Sequence, residues 1–124
     1  MKILIGEDDM TSRLFMKKFL SAYGQCELAV DGLEVIEMAI KAIDSGEPFD
    51  LISLDIMMPK VDGIKALKMI REYEKKQHSK IIMTTAINDK KSVELSYEYG
   101  CDAYAWKPID IKKYREIMKE LNLI

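Results

Sequence analysis

The sequence predicts an α/β protein built on one doubly wound, five-stranded parallel sheet. Short apolar runs that are typical of buried strands alternate five times with segments of helical periodicity. The connections between them are short and contain Gly, Pro or Asp. Such alternation implies right-handed crossovers with helices on both faces of the sheet. The 124 residues suit a single domain.

The first two strands and the helices that follow them occupy the N-terminal third of the chain. An apolar run at 2–6 predicts a buried strand, and apolar residues at helical spacing predict a helix over 11–23 that Gly24 ends. Residues 26–30 form the second predicted strand. The Asp-Gly pair at 31–32 then begins a second helix. Its predicted buried stripe consists of Ile36, Ala39, Ile40 and Ile43.

The central strand is predicted at 50–54, and Pro59 excludes regular structure soon after it. Two further strands are predicted at 81–85 and 102–106. The helices between and after these strands begin at Asp62-Gly63, at Asn88 or Asp89, and at Asp110. Their packed faces are predicted to carry Ile64, Leu67 and Ile70, then Val93, Ser96 and Tyr97, and finally Ile111, Tyr114, Ile117, Met118 and Leu121.

The composition excludes several classes of protein. Hydrophobic residues make up 48% and charged residues 32%, which is ordinary for a soluble domain. A net charge of −2 argues against direct binding of nucleic acid through phosphate contacts. No segment has the length of a membrane span or the core of a signal peptide. We therefore expect a cytoplasmic protein without a membrane partner.

Two cysteines test the predicted strand order. Cys26 and Cys101 lack the spacing of a metal site or a redox pair, and we expect reduced thiols. In a flavodoxin-like order, 2-1-3-4-5, their strands form opposite edges of the sheet, about 19 Å apart. A disulfide, which needs Cα atoms within about 7 Å, would contradict that order.

Polar side chains stand at the carboxyl ends of four of the five predicted strands. In this strand order the first, third and fourth strands are neighbours, so most of these side chains should converge on one edge of the sheet. They are Glu7, Asp8 and Asp9 after the first strand, Asp55 after the third, Thr84 and Thr85 after the fourth, and Lys107 after the fifth.

The clustered acids predict a divalent cation. Two carboxylates about 5 Å apart repel by roughly 3 kcal/mol at an effective dielectric constant near 20. Lys107 offsets part of that repulsion, and an all-oxygen donor set without His or Cys favours Mg²⁺ over Zn²⁺. Asp55 is the natural nucleophile, because an ionised carboxylate needs no general base, and His78 lies in a predicted loop. The Thr85 hydroxyl and the Lys107 ammonium group could then bind phosphoryl oxygens.

These motifs resemble the receiver domain of two-component response regulators along the whole chain. The resemblance depends on the acid run Glu7-Asp8-Asp9, Leu54-Asp55-Ile56-Met57-Met58-Pro59 with Asp62-Gly63 behind it, Thr85-Ala86 and Lys107-Pro108. The separations of 30 residues from Asp55 to Thr85 and 22 from Thr85 to Lys107 also fit the family.

The resemblance implies that Asp55 accepts a phosphoryl group from a sensor histidine kinase or a histidine phosphotransfer protein. Glu7 and Asp8 would be the acid pair, with Asp8, Asp55 and the backbone carbonyl of Met57 binding Mg²⁺ directly. Asp9 would flank the site, although a shifted assignment with Asp8 and Asp9 as the pair remains open. The domain would catalyse only its own phosphorylation and dephosphorylation, with no separate substrate.

The resemblance also implies a switch. Thr85 and Tyr104 match the family's switch pair. In the family this pair changes the conformation of a face made of the fourth helix, the fifth strand and the fifth helix, to which a downstream protein binds. Trp106 either packs on a neighbouring helix or adds to an aromatic patch on that face. Phe15, on the first helix, is a candidate anchor for the kinase. Residues 1–124 would form one receiver domain without an effector domain, either a stand-alone protein or part of a longer regulator.

Three other functions fit the sequence less well. A phosphatase of the haloacid dehalogenase type requires a second acid, as general acid, two residues after the nucleophile. This chain has Met57 at that position. A nucleotide-binding fold would need a Gly-rich phosphate loop, which the sequence lacks. A receiver-like interaction module that is never phosphorylated fits less well with the full set of polar residues.

Overall fold

A computed structural model describes residues 1–75, 79–86 and 89–124. The predictions that concern His78 and Asn88 lie outside these ranges. The strands are β1 (Lys2–Gly6), β2 (Gln25–Ala29), β3 (Leu51–Asp55), β4 (Lys80–Thr85) and β5 (Ala103–Trp106). The helices are α1 (Met10–Leu20), α2 (Gly32–Asp44), α3 (Gly63–Tyr73), α4 (Lys90–Glu98) and α5 (Ile111–Glu120).

The five strands form one parallel sheet in the order β2-β1-β3-β4-β5, which confirms the predicted doubly wound fold. β3 lies at the centre and is buried along its whole length, as a near-continuous apolar run in a parallel sheet should be. Its pairing places Leu54 beside Gly6 on β1 and Asp55 beside Thr84 on β4. The carboxyl ends of these three strands therefore meet at one edge.

Strand side chains alternate between two hydrophobic cores. Ile3 and Ile5 of β1 face α1 and α5, where Phe19, Tyr114 and Met118 complete one core. Leu4 faces the other way, into the core formed with α2 and α3. Because both sheet faces are covered, the sheet is rigid enough to hold polar groups at its edge.

An aspartate caps the N-terminus of every helix in the described part of the chain. Each carboxylate accepts a hydrogen bond from a backbone N–H in the first turn, which satisfies a donor that the helix leaves unpaired. The predicted starts at Asp31, Asp62 and Asp110 are confirmed, and Asp89 caps α4. The five caps are Asp9, Asp31, Asp62, Asp89 and Asp110.

Several predicted details differ from the structure. α1 begins one residue earlier than predicted and ends at Leu20, because residues 21–23 form a turn in which the Tyr23 N–H bonds the Leu20 carbonyl. In α2 the buried stripe includes Val35 and Ala42, while Ile40 and Ile43 are only half-buried. Two residues predicted on packed faces, Tyr97 and Ile111, are 51% and 38% exposed, because each lies at the margin of its helix's apolar stripe.

Two expectations concern the cysteines and the membrane. Cys26 and Cys101 are both free thiols, as the strand order requires. Within the described ranges, no helix has the length and apolar character needed to cross a membrane.

Candidate functional site

Three acidic side chains meet at the carboxyl edge of the sheet. Each of Glu7, Asp8 and Asp55 offers a carboxylate oxygen, and these three oxygens lie within 4.8 Å of one another. Glu7 and Asp55 are only 2% and 4% exposed, whereas Asp8 is exposed to solvent. The cluster thus combines two buried acids with one that is accessible to solvent.

The register of β1 and β3 explains this meeting. Because Gly6 pairs with Leu54, the residues that follow them, Glu7 and Asp55, leave adjacent strands at the same height. A Cβ on Gly6 would lie 2.6 Å from the Val35 side chain and 3.1 Å from that of Leu54, so the glycine admits close packing beneath the acids.

Lys107 brings a positive charge to the acids from the end of β5. Its Nζ lies 3.2 Å from Asp55 Oδ2 and also donates a hydrogen bond to Glu7 Oε1. Its own backbone N–H donates to the Thr85 carbonyl at 2.8 Å, and the peptide bond to Pro108 is cis. Burial alone would lower the pKa of Lys107, but the hydrogen bond to Glu7 and the charge of Asp55 raise it above its ordinary value.

Burial opposes ionisation of Glu7. Loss of solvent raises its pKa from 4.5 to about 7, although the hydrogen bond from Lys107 acts in the opposite direction. The nearby charge of Asp55 raises the pKa of Glu7 further. The charge of a single lysine therefore does not fully balance the negative charge of the acids, and the site favours binding of an additional cation.

The donor set fits Mg²⁺. This ion takes oxygen ligands at about 2.0–2.1 Å, so ligand oxygens on one ion lie up to about 4.2 Å apart. The three carboxylate oxygens need only a small contraction from their present spacing to share one ion. Met57 lies in the loop after β3 with its side chain 62% exposed, two residues beyond Asp55.

Asp9 has a different role from its two neighbours. Its carboxylate accepts a hydrogen bond of 2.8 Å from the Ser12 N–H and caps α1. Hydrogen bonds from the backbone and side chain of Ser12 lower the pKa of Asp9. The acid run thus divides between a helix cap and the acidic cluster.

Sequence reasoning missed the part played by Arg13. Its guanidinium group donates to the carbonyls of Glu7 at 2.9 Å and Asp8 at 3.1 Å, and so holds the turn that carries both acids. An arginine one turn into a surface helix gives no sequence signal of such a contact.

The remaining predicted residues lie around this cluster rather than in it. Thr85 is completely buried at the end of β4. Tyr104 is buried, 6% exposed, and its ring contacts that of Trp106, which is 46% exposed, with the ring centroids 4.8 Å apart and the ring planes tilted by 53°. Trp106 therefore presents much of its surface to solvent.

Phe15 faces a groove beside the acids. The side chain is 43% exposed and lines a cavity of about 550 Å³. Glu7, Thr84 and Lys107 also line it. The groove joins an apolar face of α1 to the polar cluster.

A family model for the response regulator receiver domain matches residues 3–119. The chain belongs to that family. Receiver domains act in two-component signal transduction, which is therefore the function of this domain. A receiver domain is not a classical enzyme.

Two curated proteins show how receiver domains of this type occur in different contexts. The osmosensing histidine protein kinase SLN1 of Saccharomyces cerevisiae is 34% identical over 121 residues, which are 96% of this chain and 10% of the kinase. The chemotaxis protein CheY of Treponema pallidum is 33% identical over 117 residues, which are 93% of this chain and 78% of that protein. The receiver domain thus spans most of one relative and a small part of the other.

A solved structure bears on the metal. The receiver domain of a sensor histidine kinase from Pseudomonas aeruginosa, with a magnesium ion coordinated in its active site cleft, is 25% identical to this chain. The TM-score is 0.82, and the match covers 96% of this chain and 94% of that one.

Proposed function

We propose that Asp55 is the phosphoacceptor of this receiver domain and that Mg²⁺ is required for the transfer. The observation that carries the proposal is the position of Asp55, whose carboxylate accepts a hydrogen bond from Lys107 and lies within 4.8 Å of carboxylate oxygens of Glu7 and Asp8. A carboxylate in this position can attack phosphorus as a nucleophile. A cation bound by the neighbouring oxygens would neutralise the negative charge of the resulting aspartyl phosphate.

Four groups would hold the metal. Asp8 and Asp55 would bind it directly, Glu7 would complete the acid pair, and the backbone carbonyl of Met57 would be a further ligand. Bound Mg²⁺ would supply positive charge for phosphoryl oxygens. The engagement of Asp9 as a helix cap supports Glu7 and Asp8, rather than Asp8 and Asp9, as the pair.

The reaction moves one phosphoryl group. A carboxylate oxygen of Asp55 forms a bond to phosphorus as the bond from phosphorus to the donor's histidine nitrogen breaks, and the imidazole leaves with the electron pair. Lys107 would balance one of the phosphoryl charges, and the Thr85 hydroxyl would donate a hydrogen bond to another oxygen. Dephosphorylation would follow when water attacks the same phosphorus and the bond from phosphorus to the Asp55 oxygen breaks, which regenerates the carboxylate and releases inorganic phosphate. The domain would then act only on itself.

Thr85 and Tyr104 would form the switch. Movement of the Thr85 hydroxyl towards the phosphoryl group would let Tyr104 settle further inward and change the face formed by α4, β5 and α5. Trp106, which contacts the Tyr104 ring and is half exposed, would bind a downstream protein on that face. Phe15, in the groove beside the acids, would contact the phosphodonor.

The expected partners are a sensor histidine kinase or a histidine phosphotransfer protein, and one downstream protein. Relatives that include histidine kinases and CheY support this pairing. We place the domain in the cytoplasm, without direct binding to nucleic acid, since its net charge of −2 gives no basic surplus.

The test is phosphorylation by a small donor. The protein is incubated with Mg²⁺ and acetyl phosphate and its intact mass is measured, with Asp55→Asn as the key variant. Glu37→Gln, which changes an exposed acid on α2, is the control for loss of one negative charge. We expect one phosphoryl adduct on the native chain and the control, and none on Asp55→Asn.

Two results would contradict the proposal. An adduct that persists in Asp55→Asn would place the acceptor elsewhere. A native chain that takes up no phosphoryl group would favour an interaction module that is never phosphorylated.

A further inference from the structure

Two helices that begin at the carboxyl edge of the sheet start with Asp-Gly, and neither glycine has room for a side chain. A Cβ on Gly63 would lie 2.0 Å from the carbonyl oxygen of Asp55. A Cβ on Gly32 would lie 1.7 Å from the carbonyl oxygen of Val61. Both obstacles are backbone atoms, which cannot rotate away as a flexible side chain can.

The loop between β3 and α3, residues 56–62, is thus held between two glycines. Gly63 abuts its beginning, where the Ile56 carbonyl accepts hydrogen bonds from the N–H groups of Met58 at 3.1 Å and Gly63 at 2.8 Å. Gly32 abuts its end, at Val61. Met57 lies between these two contacts.

We propose that Gly32 is a positioning residue for the metal site, because it lets the α2 N-terminus support the loop that carries Met57. The inference rests on the proposed function, in which the Met57 carbonyl binds Mg²⁺. Gly32 itself touches neither the acids nor the metal in this scheme. It acts through residues 59–61.

Further contacts join the same two segments. The Gly32 N–H points to the Pro59 carbonyl at 3.4 Å, and that carbonyl also accepts a 2.8 Å hydrogen bond from Val61. Lys60 has a positive φ of 70°, and its Nζ lies 3.5 Å from Asp31 Oδ2. A non-glycine residue rarely adopts that φ, so its surroundings must hold it there. The Asp31-Gly32 turn supplies those surroundings.

The size of the clash indicates the size of the effect. To bring a Cβ on Gly32 from 1.7 Å to even 3.0 Å from the Val61 oxygen, the backbone at 59–61 and the α2 N-terminus must separate by more than 1 Å. Mg²⁺ requires near-ideal octahedral geometry at about 2.0–2.1 Å, so a shift of this size at a ligand-bearing loop disturbs binding. Removal of groups that orient metal ligands commonly lowers metal affinity about 10- to 100-fold.

Gly24 provides a matched control. A Cβ there would lie 2.1 Å from the Met1 carbonyl oxygen, which is the same kind of backbone clash. Gly24 precedes β2, at the opposite end of the sheet from the acids. Gly24→Ala should therefore destabilise the fold as Gly32→Ala does, without disturbing the loop at 56–62.

The experiment measures Mg²⁺ affinity by calorimetry in the native protein, Gly32→Ala and Gly24→Ala, together with urea unfolding at several Mg²⁺ concentrations. We expect the dissociation constant to rise about tenfold or more in Gly32→Ala and by less than about twofold in Gly24→Ala. Equal affinities in the two variants would overturn the inference.

A second variant separates positioning from folding. In Gly32→Ala/Val61→Gly, the freer backbone at 61 can move away from the added methyl group, although the Val61 side chain no longer packs against the core. The double variant should therefore lose less stability relative to Val61→Gly than Gly32→Ala loses relative to the native protein. Mg²⁺ affinity should remain about tenfold weaker than in Val61→Gly alone. A double variant that binds as tightly as Val61→Gly would contradict the inference even if Gly32→Ala does not fold.

The native protein distinguishes this inference from the proposed function. If it binds Mg²⁺ but takes no phosphoryl group from acetyl phosphate, the proposed acceptor is wrong and the positioning role of Gly32 stands on the affinities alone. If it binds no Mg²⁺, both proposals are wrong.

Discussion

Replacement of Arg71 by methionine should destabilise the domain strongly without affecting the acidic site. Arg71 lies at the end of α3, where its guanidinium group contacts four partners. It donates to the carbonyls of Gly100 at 2.9 Å and Ser79 at 2.8 Å. It also pairs with Glu74 Oε1 at 2.7 Å and Asp102 Oδ2 at 2.9 Å.

The magnitude follows from the burial of these charges. The side chains of Arg71, Glu74 and Asp102 are only 16%, 5% and 17% exposed. Methionine fills much of the space but leaves two shielded carboxylates without a cation. Removal of one partner from a buried ion pair costs about 3–5 kcal/mol. We expect a loss of about 3–4 kcal/mol in the free energy of unfolding, a large share of the roughly 5–15 kcal/mol typical of a domain.

Urea denaturation followed by far-UV circular dichroism measures this loss. At a denaturant dependence of about 1–3 kcal/mol/M, the midpoint should fall by roughly 2 M. Arg115→Met is the matched control, because Arg115 is exposed and donates one 2.8 Å hydrogen bond to the Tyr23 hydroxyl. It should lose less than about 1 kcal/mol.

The metal site provides a second readout. Ser79, Gly100 and Asp102 lie before β4 and β5, at the opposite edge of the sheet from Asp55. Mg²⁺ affinity of Arg71→Met should therefore match that of the native protein under folding conditions. A loss of stability below about 1 kcal/mol, equal to that of Arg115→Met, would refute the reasoning from burial.

Three further predictions concern single side chains. Burial raises the pKa of the Tyr114 hydroxyl and the Ser53 side chain lowers it, but within the described residues this hydroxyl makes no hydrogen bond of normal geometry. Tyr114→Phe should therefore leave the urea midpoint unchanged or raise it, and a loss above about 1 kcal/mol would reveal a bond to Ser53 that stabilises the fold. Burial raises the pKa of Cys101 to about 11 and also raises that of the less buried Cys26. Because the thiolate is the reactive form, iodoacetamide at pH 8 should label Cys26 before Cys101, as read by peptide mass, and the reverse order would be inconsistent with this burial. Trp106 emission should change when beryllofluoride and Mg²⁺ are added, since its ring contacts that of Tyr104, and a constant signal would count against the proposed switch.

The strand ends show how much of the site the sequence could predict. The run that ends at Asp55 and the acids after Gly6 are local patterns, and the parallel order follows from strict alternation of strands and helices. Together these were sufficient to predict that Glu7, Asp8 and Asp55 meet. The presence of Lys107 at the same edge could be predicted in the same way, because it directly follows the last strand.

Other features depended on packing that no local pattern records. Asp9 looks like its two neighbours in sequence, yet it caps α1 because the helix begins one residue later. Strand alternation places Trp106 on the same side of the sheet as Tyr104. Its exposure of 46% depends on where the neighbouring helices lie, which the alternation does not specify. Arg13 gave no signal because its partners are backbone carbonyls.

By itself, the sequence determined the fold class, the helix starts at Asp31, Asp62 and Asp110, and the residues at the strand ends. These depend on side-chain period and on chain-breaking residues, both of which act over a few positions. The tertiary structure alone decided the contacts of Arg71, which reach residues 29 and 31 positions away, and the fit of Gly32 against Val61. Such contacts depend on how whole helices seat against the sheet and against neighbouring loops, to within an ångström, and a pattern of residue types does not specify distances of that kind.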